Sequence, residues 1–144
     1  TVFISIADHD KRNVVFPVVK LVEMGFRVLA TSGTASVLRR NGIDVEVVAK
    51  ESERQEGEPT IIDLIYDGQI DMVVNTPQGQ SQRRDGYKIR AATTSSGKAI
   101  VTTMQAFNAA VRAIEVIRNN QFDVKSLQEY DREREERHSV KEGA

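Results

Sequence analysis

Short polar loops follow the apolar segments of this chain, and one loop carries the side chains best suited to bind an anion. The loop Thr31-Ser32-Gly33-Thr34 opens a predicted helix, whose first turn presents unpaired backbone N–H groups and a partial positive charge. Gly33 allows the backbone to approach an anion closely, and Lys11 and Lys50 in neighbouring loops would add full positive charge. These residues predict a site for one phosphate. The alternative is that Thr34 is only a helix N-cap and Gly33 only a turn residue.

A second polar position, Asn75, ends another apolar segment. Its side chain offers both an amide donor and a carbonyl acceptor, which suit the edge of a base or the hydroxyls of a sugar. The alternative role is turn formation before Pro77. Combined with the phosphate donors, Asn75 predicts a nucleoside monophosphate or a small phosphorylated metabolite as the ligand.

Candidate catalytic groups are few. His9 lies between Asp8 and Asp10, but adjacent loop residues need not face each other, and an exposed histidine is the favoured interpretation. His138 falls in a charged tail, where we expect it to be solvated. With no cysteine and two distant histidines, the sequence predicts no metal site.

Three carboxylates belong to a predicted helix and the loop before it. Asp63 lies in the helix, and Glu56 and Glu58 lie in the loop. Each is either a general base or a charge near a helix N-terminus, and the sequence leaves both possibilities open.

Alternating strands and helices must position these loops. Apolar runs predict strands at 2–7, 25–30, 45–48, 71–75 and 98–101, and periodic patterns predict helices at 13–24, 34–41, 60–67 and 103–119. Pro17 predicts a kink or break in the first helix. This alternation is typical of right-handed crossovers around a parallel sheet, which binds ligands at the carboxyl ends of its strands. The four polar loops should therefore emerge at one edge.

Composition restricts the function classes. The chain has 144 residues, a net charge of -1 and no cysteine, which indicates one ordinary domain and fits a reducing cytoplasm. The balanced charge argues against binding nucleic acid or a membrane surface. No apolar run approaches the roughly 18 residues of a membrane span. Because the chain starts at Thr1 inside a strand-like run, we expect a piece of a longer polypeptide; the alternative is removal of the initiator methionine or of a tag.

The C-terminal region differs in composition. Ser126-Leu127-Gln128-Glu129 predicts a capped helix start, and the charged run from Asp131 to Arg137 predicts a solvated or frayed helix; the alternative is a helix that binds a partner. The spacing of Glu133 and Arg137 gives weak support to that helix. We therefore divide the chain into a domain at residues 1–122 and a charged helix or tail at residues 123–144.

The chain resembles the methylglyoxal-synthase-like domain, and within that superfamily most closely the C-terminal allosteric domain of the carbamoyl phosphate synthase large subunit. The resemblance covers residues 2–130. The motifs that carry it, in chain order, are Ser5…Asp10-Lys11, Ala30-Thr31-Ser32-Gly33-Thr34-Ala35, Arg40-Asn41-Gly42-Ile43, Lys50…Glu56-Gly57…Pro59, Asp67-Gly68…Asp71 and Val74-Asn75-Thr76-Pro77.

The resemblance implies an α/β fold, a flavodoxin-like three-layer αβα sandwich with a five-stranded parallel sheet. It also implies an allosteric domain that binds UMP, or IMP in some relatives. The implied phosphate ligands are Ser5, Lys11, Thr31, Gly33, Thr34 and Lys50, the implied ribose and base ligands are Asn75 and Thr76, and Thr102 matches a position that contacts ornithine. Relatives often carry a second threonine where this chain has Pro77, which leaves the identity of the effector open.

The resemblance further implies that the chain itself is non-catalytic and needs no cofactor. Its parent would be an ATP-dependent, glutamine-hydrolysing ligase that uses Mg or Mn and makes carbamoyl phosphate for pyrimidine and arginine biosynthesis. The partners would be the remainder of the large subunit and the glutaminase small subunit. The alternative is methylglyoxal synthase, which needs a carboxylate base. Glu58 is nearest to that position, but the loop from Asn75 to Asp85 contains no histidine.

Overall fold

The computed structural model describes residues 1–76, 83–119, 124 and 126–132. Five strands form one parallel sheet in the order β3-β2-β1-β4-β5. The strands are β1 (Val2–Ser5), β2 (Val28–Ala30), β3 (Glu46–Val47), β4 (Met72–Asn75) and β5 (Ala99–Val101). The helices are α1 (Val15–Glu23), α2 (Ser32–Arg40), α3 (Ile61–Tyr66), α4 (Arg83–Ser95) and α5 (Met104–Arg118), with short 3-10 helices at Asp8–Asp10 and Glu51–Glu53. The predicted α/β, flavodoxin-like fold with a five-stranded parallel sheet is confirmed.

The central strand β1 is covered on both faces. Val2, Phe3 and Ile4 are all buried, and successive side chains of a strand point to opposite faces of the sheet. On one face, Phe3 belongs to an apolar cluster that includes Ile61 and Ile65 of α3 and also Ile89 of α4. The continuous β-branched and aromatic run of β1 thus suits a strand buried between two layers.

The predicted kink or break at Pro17 is wrong. Helix α1 begins at Val15, so Pro17 falls in its first turn. The backbone N–H groups of a first turn have no acceptor within the helix, so a proline there removes no hydrogen bond. The helix therefore continues to Glu23 without interruption.

The alternative role of Thr34 as a helix N-cap is also wrong. Helix α2 begins at Ser32, two residues earlier than predicted, and Thr31 takes the extended conformation that precedes it. Thr34 therefore lies within the first turn of α2, and its buried side chain is directed to other partners.

Helix α4 has no counterpart in the sequence prediction. Its residues include Gly86, two successive threonines and few apolar side chains, of which Ile89 and Ala92 are buried. The amphipathic stripe that marks a helix in sequence is therefore weak here. Packing of Ile89 and Ala92 against apolar side chains of α3 and the sheet stabilises helix α4 instead.

The chain divides into two compact units, Thr1–Ala113 and Ile114–Ala144. The first contains the whole sheet. In the second, residues 127–132 are helical, and Ser126 and Glu129 form the predicted capping box: Ser126 N donates to Glu129 Oε2 over 2.7 Å, and Glu129 N donates to Ser126 Oγ over 3.3 Å. The predictions for Pro77, for the spacing of Glu133 and Arg137, and for His138 lie outside the described residues. Among the residues that are described, no helix is long and apolar enough to cross a bilayer.

Candidate functional site

The carboxyl ends of three adjacent strands bring the predicted polar residues together. In the register of β1 and β4, Ser5 lies beside Asn75, and Thr76 N donates to Ser5 O over 3.2 Å. On the other side of β1, Thr31 N donates to Ile4 O over 3.3 Å. The predicted convergence of polar loops at one sheet edge is therefore present for β1, β2 and β4.

Two buried threonine hydroxyls hold the loop that follows β1. Ile6 N donates to Thr34 Oγ1 over 3.1 Å, and Ala7 N donates to Thr76 Oγ1 over 2.8 Å. Each hydroxyl acts as an acceptor in these bonds and keeps its own hydrogen for donation. Thr34 and Thr76 thus fix the loop before Asp8.

Lys11 lies over the first turn of α2. A Cβ atom added at Gly33 would lie 3.2 Å from Lys11 Nζ, so the absence of a side chain at Gly33 leaves the space that the ammonium occupies. The same ammonium forms an ion pair with Asp8 Oδ1 at 2.5 Å. A lysine charge therefore lies at a helix N-terminus, where both the charge and the helix dipole favour an anion.

The charge of Lys50 acts on Asp8, the carboxylate that pairs with Lys11. The hydrogen bond and charge of Lys11 lower the pKa of Asp8, and the charges of His9 and Lys50 lower it further, though more weakly. Two lysine charges therefore act on one exposed carboxylate.

The position of Lys50 is set by the start of α3. Ile61 N donates to Ala49 O over 3.0 Å, and Ala49 forms an isolated parallel bridge with Thr60, so the loop between them is closed at its base. A cavity of about 550 Å³ lies beside this loop, and its lining is formed by Lys50, Glu51, Ser52, Glu53, Arg84, Asp85 and Lys88. This volume lies within the range of small-molecule pockets.

Arg90 contacts the predicted site, although the sequence did not indicate it. Its Nη1 donates to Asn75 Oδ1 over 2.8 Å, and both side chains lie beside Gly86. Arg90 was not predicted because helix α4, which contains it, was not predicted. The four-residue spacing of Gly86 and Arg90 would place both on one face of a helix, and this was the available signal.

Thr102, the predicted ornithine contact, lies apart from this cluster. It is exposed and follows β5, the edge strand beyond β4. Its predicted role stays a prediction.

The candidate catalytic group Asp63 is held by neighbouring donors. Asp63 Oδ2 accepts hydrogen bonds from Thr60 N at 2.7 Å and from Thr60 Oγ1 at 2.9 Å, and Arg54 lies 3.0 Å from it. The backbone hydrogen bond from Thr60, with Arg54 and the Thr60 hydroxyl, lowers the pKa of Asp63 to about 2. Of the two alternatives for Asp63, the structure therefore favours a charge at a helix N-terminus.

Three other catalytic candidates that the structure describes are exposed. His9 Nε2 lies 3.2 Å from Asp10 Oδ2, and its side chain is 74% exposed, as the sequence indicated. Glu56 and Glu58 lie exposed in the loop before α3. Within the described ranges, no group of three histidine or carboxylate side chains is arranged to hold a metal ion.

The chain is similar to known proteins at two levels. The family whose model matches residues 13–102 is described as the MGS-like domain. The carbamoyl phosphate synthase large chain of Beutenbergia cavernae is 61% identical over 132 residues, which cover 90% of this chain and 12% of that protein. The large chain of Clavibacter michiganensis subsp. michiganensis is 50% identical over 139 residues, which cover 95% of this chain and 13% of that protein. The chain thus spans about one-eighth of the length of these relatives.

Solved structures support the fold alone. Methylglyoxal synthase from Elizabethkingia anophelis superimposes with a TM-score of 0.56 at 17% identity, and the match covers 76% of each chain. The structure of ForH superimposes with a TM-score of 0.55 at 23% identity, and the match covers 79% of this chain and 80% of that one.

Proposed function

Because the chain belongs to the MGS-like domain family, we propose that it is the allosteric effector-binding domain of a carbamoyl phosphate synthase large chain. Its ligand is a nucleoside monophosphate such as UMP, with IMP as a competitor for the same site. The observation that carries the proposal is the Lys11 ammonium over Gly33, at the N-terminus of α2. Relatives named as that large chain, 50% and 61% identical, support the assignment of the parent.

The phosphate binds at the carboxyl ends of β1 and β2. Lys11 and Lys50 supply charge, and the first turn of α2 at Gly33 supplies backbone N–H groups. The hydroxyls of Ser5, Thr31 and Thr34 complete this set. The two hydroxyls already engaged in the scaffold, Thr31 and Thr34, are buried, so they are held in place before the ligand arrives.

The ribose and base bind on the β4 side of the site. Asn75 ends β4 and Thr76 directly follows it. The register of β1 and β4 places Asn75 beside Ser5. A nucleotide bound here would extend from the phosphate ligands of β1 and β2 toward α4 and the cavity beside Lys50.

Regulation requires that the nucleotide binds one state of the parent enzyme more tightly than another. The parent makes carbamoyl phosphate with ATP and Mg or Mn, for pyrimidine and arginine biosynthesis in the cytoplasm, and its catalytic parts lie outside this chain. The coupling passes to the remainder of the large subunit and the glutaminase small subunit. Thr102 would contact ornithine together with residues outside this chain.

Calorimetric titration of the 144-residue chain tests the ligand. UMP and IMP should bind and should compete with each other, whereas uridine, which lacks the phosphate, should bind far more weakly. Inorganic phosphate should compete with both nucleotides at higher concentration. Absence of UMP and IMP binding at millimolar concentration would contradict the proposal.

A further inference from the structure

Arg90 connects α4 to the carboxyl end of β4. Its guanidinium donates from Nη1 to Asn75 Oδ1 over 2.8 Å, and Asn75 is 4% exposed. An arginine has only donors, whereas an asparagine amide has one oxygen acceptor and one nitrogen donor group. The contact therefore fixes the orientation of the amide, with Oδ1 toward Arg90 and Nδ2 away from it.

The Nδ2 group of Asn75 is available to a ligand. It forms no hydrogen bond with the residues that the structure describes, and no buried side-chain nitrogen or oxygen in that part of the chain lacks a partner. Nδ2 is therefore the donor of this side chain that the described residues leave unused. Since Asn75 ends β4 beside Ser5, it adjoins the proposed phosphate site.

Gly86 leaves room for this contact. It lies within α4, where glycine is among the least favourable residues, and it does not adopt a positive φ angle that would require glycine. A Cβ atom at this position would lie 3.0 Å from Arg90 Nη1 and 3.3 Å from Asn75 Oδ1. A side chain at Gly86 would therefore force the guanidinium and the amide to shift by a few tenths of an ångström and would alter their contact.

We propose that Arg90 is a positioning residue for Asn75, and that Gly86 provides the space for their contact. Asn75 then presents N–H donors to an acceptor of the nucleotide, either a ribose hydroxyl oxygen or a base carbonyl. This inference rests on the proposed function, because the nucleotide is the ligand proposed for the phosphate site. It also predicts which kind of ligand group contacts Asn75: that group must accept a hydrogen bond.

A double-mutant cycle tests whether Arg90 acts through Asn75. Arg90→Met and Asn75→Ala should each weaken UMP binding about tenfold, and the double variant should also lose about tenfold rather than a hundredfold. Affinity for inorganic phosphate should change less than twofold in all three. Arg112→Met, which removes an exposed arginine of α5, is the charge-matched control and should leave both affinities unchanged. Additive losses for UMP, or an equal loss of phosphate affinity, would show that Arg90 binds the ligand directly and would overturn the proposal.

A measurement without ligand separates this inference from the proposed function. The side-chain amide signals of Asn75 in the NMR spectrum, identified by their loss in Asn75→Ala, should shift in both Arg90→Met and Gly86→Ala. Thr94→Ala, at an exposed position of α4, is the control for increased helix propensity and should leave them unmoved. Gly86→Ala should also weaken UMP binding although it favours the helix. Unchanged Asn75 signals would refute the positioning role. If the wild type failed to bind UMP and the signals still shifted, the nucleotide proposal alone would fail, and the contact would stand.

Discussion

At the scale of single residues, the proposed phosphate site depends on the space over Gly33. Because a Cβ atom there would lie 3.2 Å from Lys11 Nζ, Gly33→Ala should shift the ammonium by a few tenths of an ångström from its place over the first turn of α2. We expect UMP affinity to fall by about 1 kcal/mol, the scale of a charge-assisted hydrogen bond with altered geometry. Calorimetry measures this loss. Ser36→Ala, one turn further along α2, is the control, and an equal loss there would attribute the effect to the helix rather than to Lys11.

Lys50 is predicted to supply a second positive charge to the phosphate, from a loop that neighbours the loop of Lys11. Lys50→Ala should weaken UMP binding by at least about 1 kcal/mol, because a charge-assisted hydrogen bond to the phosphate is lost. Lys98→Ala is the matched control, because Lys98 pairs with Asp71 before β4, at the opposite end of that strand. If Lys50→Ala bound UMP as tightly as the wild type, the phosphate would have to lie elsewhere.

At the scale of elements, the network around Arg54 joins the 3-10 helix Glu51–Glu53 to the start of α3. Arg54 Nη2 lies 3.0 Å from both Glu51 and Asp63, and these contacts raise the pKa of Arg54, with its hydrogen bond to Glu51 as the largest cause. The same network lowers the pKa of Glu51, chiefly through the hydrogen bond that it accepts from Arg54. Since Lys50 directly precedes Glu51, the network holds the loop that carries a proposed phosphate ligand.

Asp63 gives this network a pH dependence. Its pKa is about 2 in the folded chain against an ordinary value of 3.8, so its carboxylate stabilises the fold above about pH 4. This contribution is lost as the pH falls from about 4 to about 2. Asp63→Asn should therefore have a lower free energy of unfolding than the wild type at neutral pH, and the gap should shrink over that range. Urea denaturation at a series of pH values measures the gap.

A second variant background tests which hydrogen-bond donors lower the pKa of Asp63. The backbone N–H of Thr60 is the largest cause of the lowered pKa of Asp63, and Arg54 is the next. When Asp63→Asn is introduced into an Arg54→Met background, the loss of unfolding free energy should be smaller than in the wild type but should persist. A loss that stays constant down to about pH 2 in the wild-type background would mean that Asp63 is not held by these donors.

The strands and the site were predictable to different degrees. Buried strands such as Val2–Ser5 carry short apolar runs that are visible in sequence, and the parallel order then places Thr31 and Asn75 at one edge. Helix α4 is stabilised by tertiary packing on α3, which no local pattern records. Because α4 was missed, so was Arg90, whereas the lysines lie in loops that the strand pattern defines.

At the scale of the whole molecule, the rival function, methylglyoxal synthesis, needs a carboxylate base. Asp63 is engaged by Thr60 and Arg54, and Glu58 is exposed. We therefore expect no methylglyoxal from dihydroxyacetone phosphate incubated with the chain, in an assay that converts methylglyoxal to a chromogenic adduct. Product formation that disappears in Glu58→Gln would favour the enzyme instead.

Binding and folding of the whole chain are linked by mass action, because a ligand that binds only the folded state stabilises it. UMP at a hundredfold excess over its dissociation constant should raise the free energy of unfolding by about 2.7 kcal/mol. Uridine at the same concentration should raise it far less, since the proposed site is built around the phosphate.

The measurement must follow the unfolding of the first compact unit, because the chain divides into two units after Ala113. A tryptophan introduced by Phe26→Trp, just before β2, provides a fluorescence signal from that unit. Stabilisation should fall as salt is added, because Lys11 and Lys50 are screened. A UMP effect that is insensitive to salt and is retained in Lys50→Ala would contradict a phosphate-centred site.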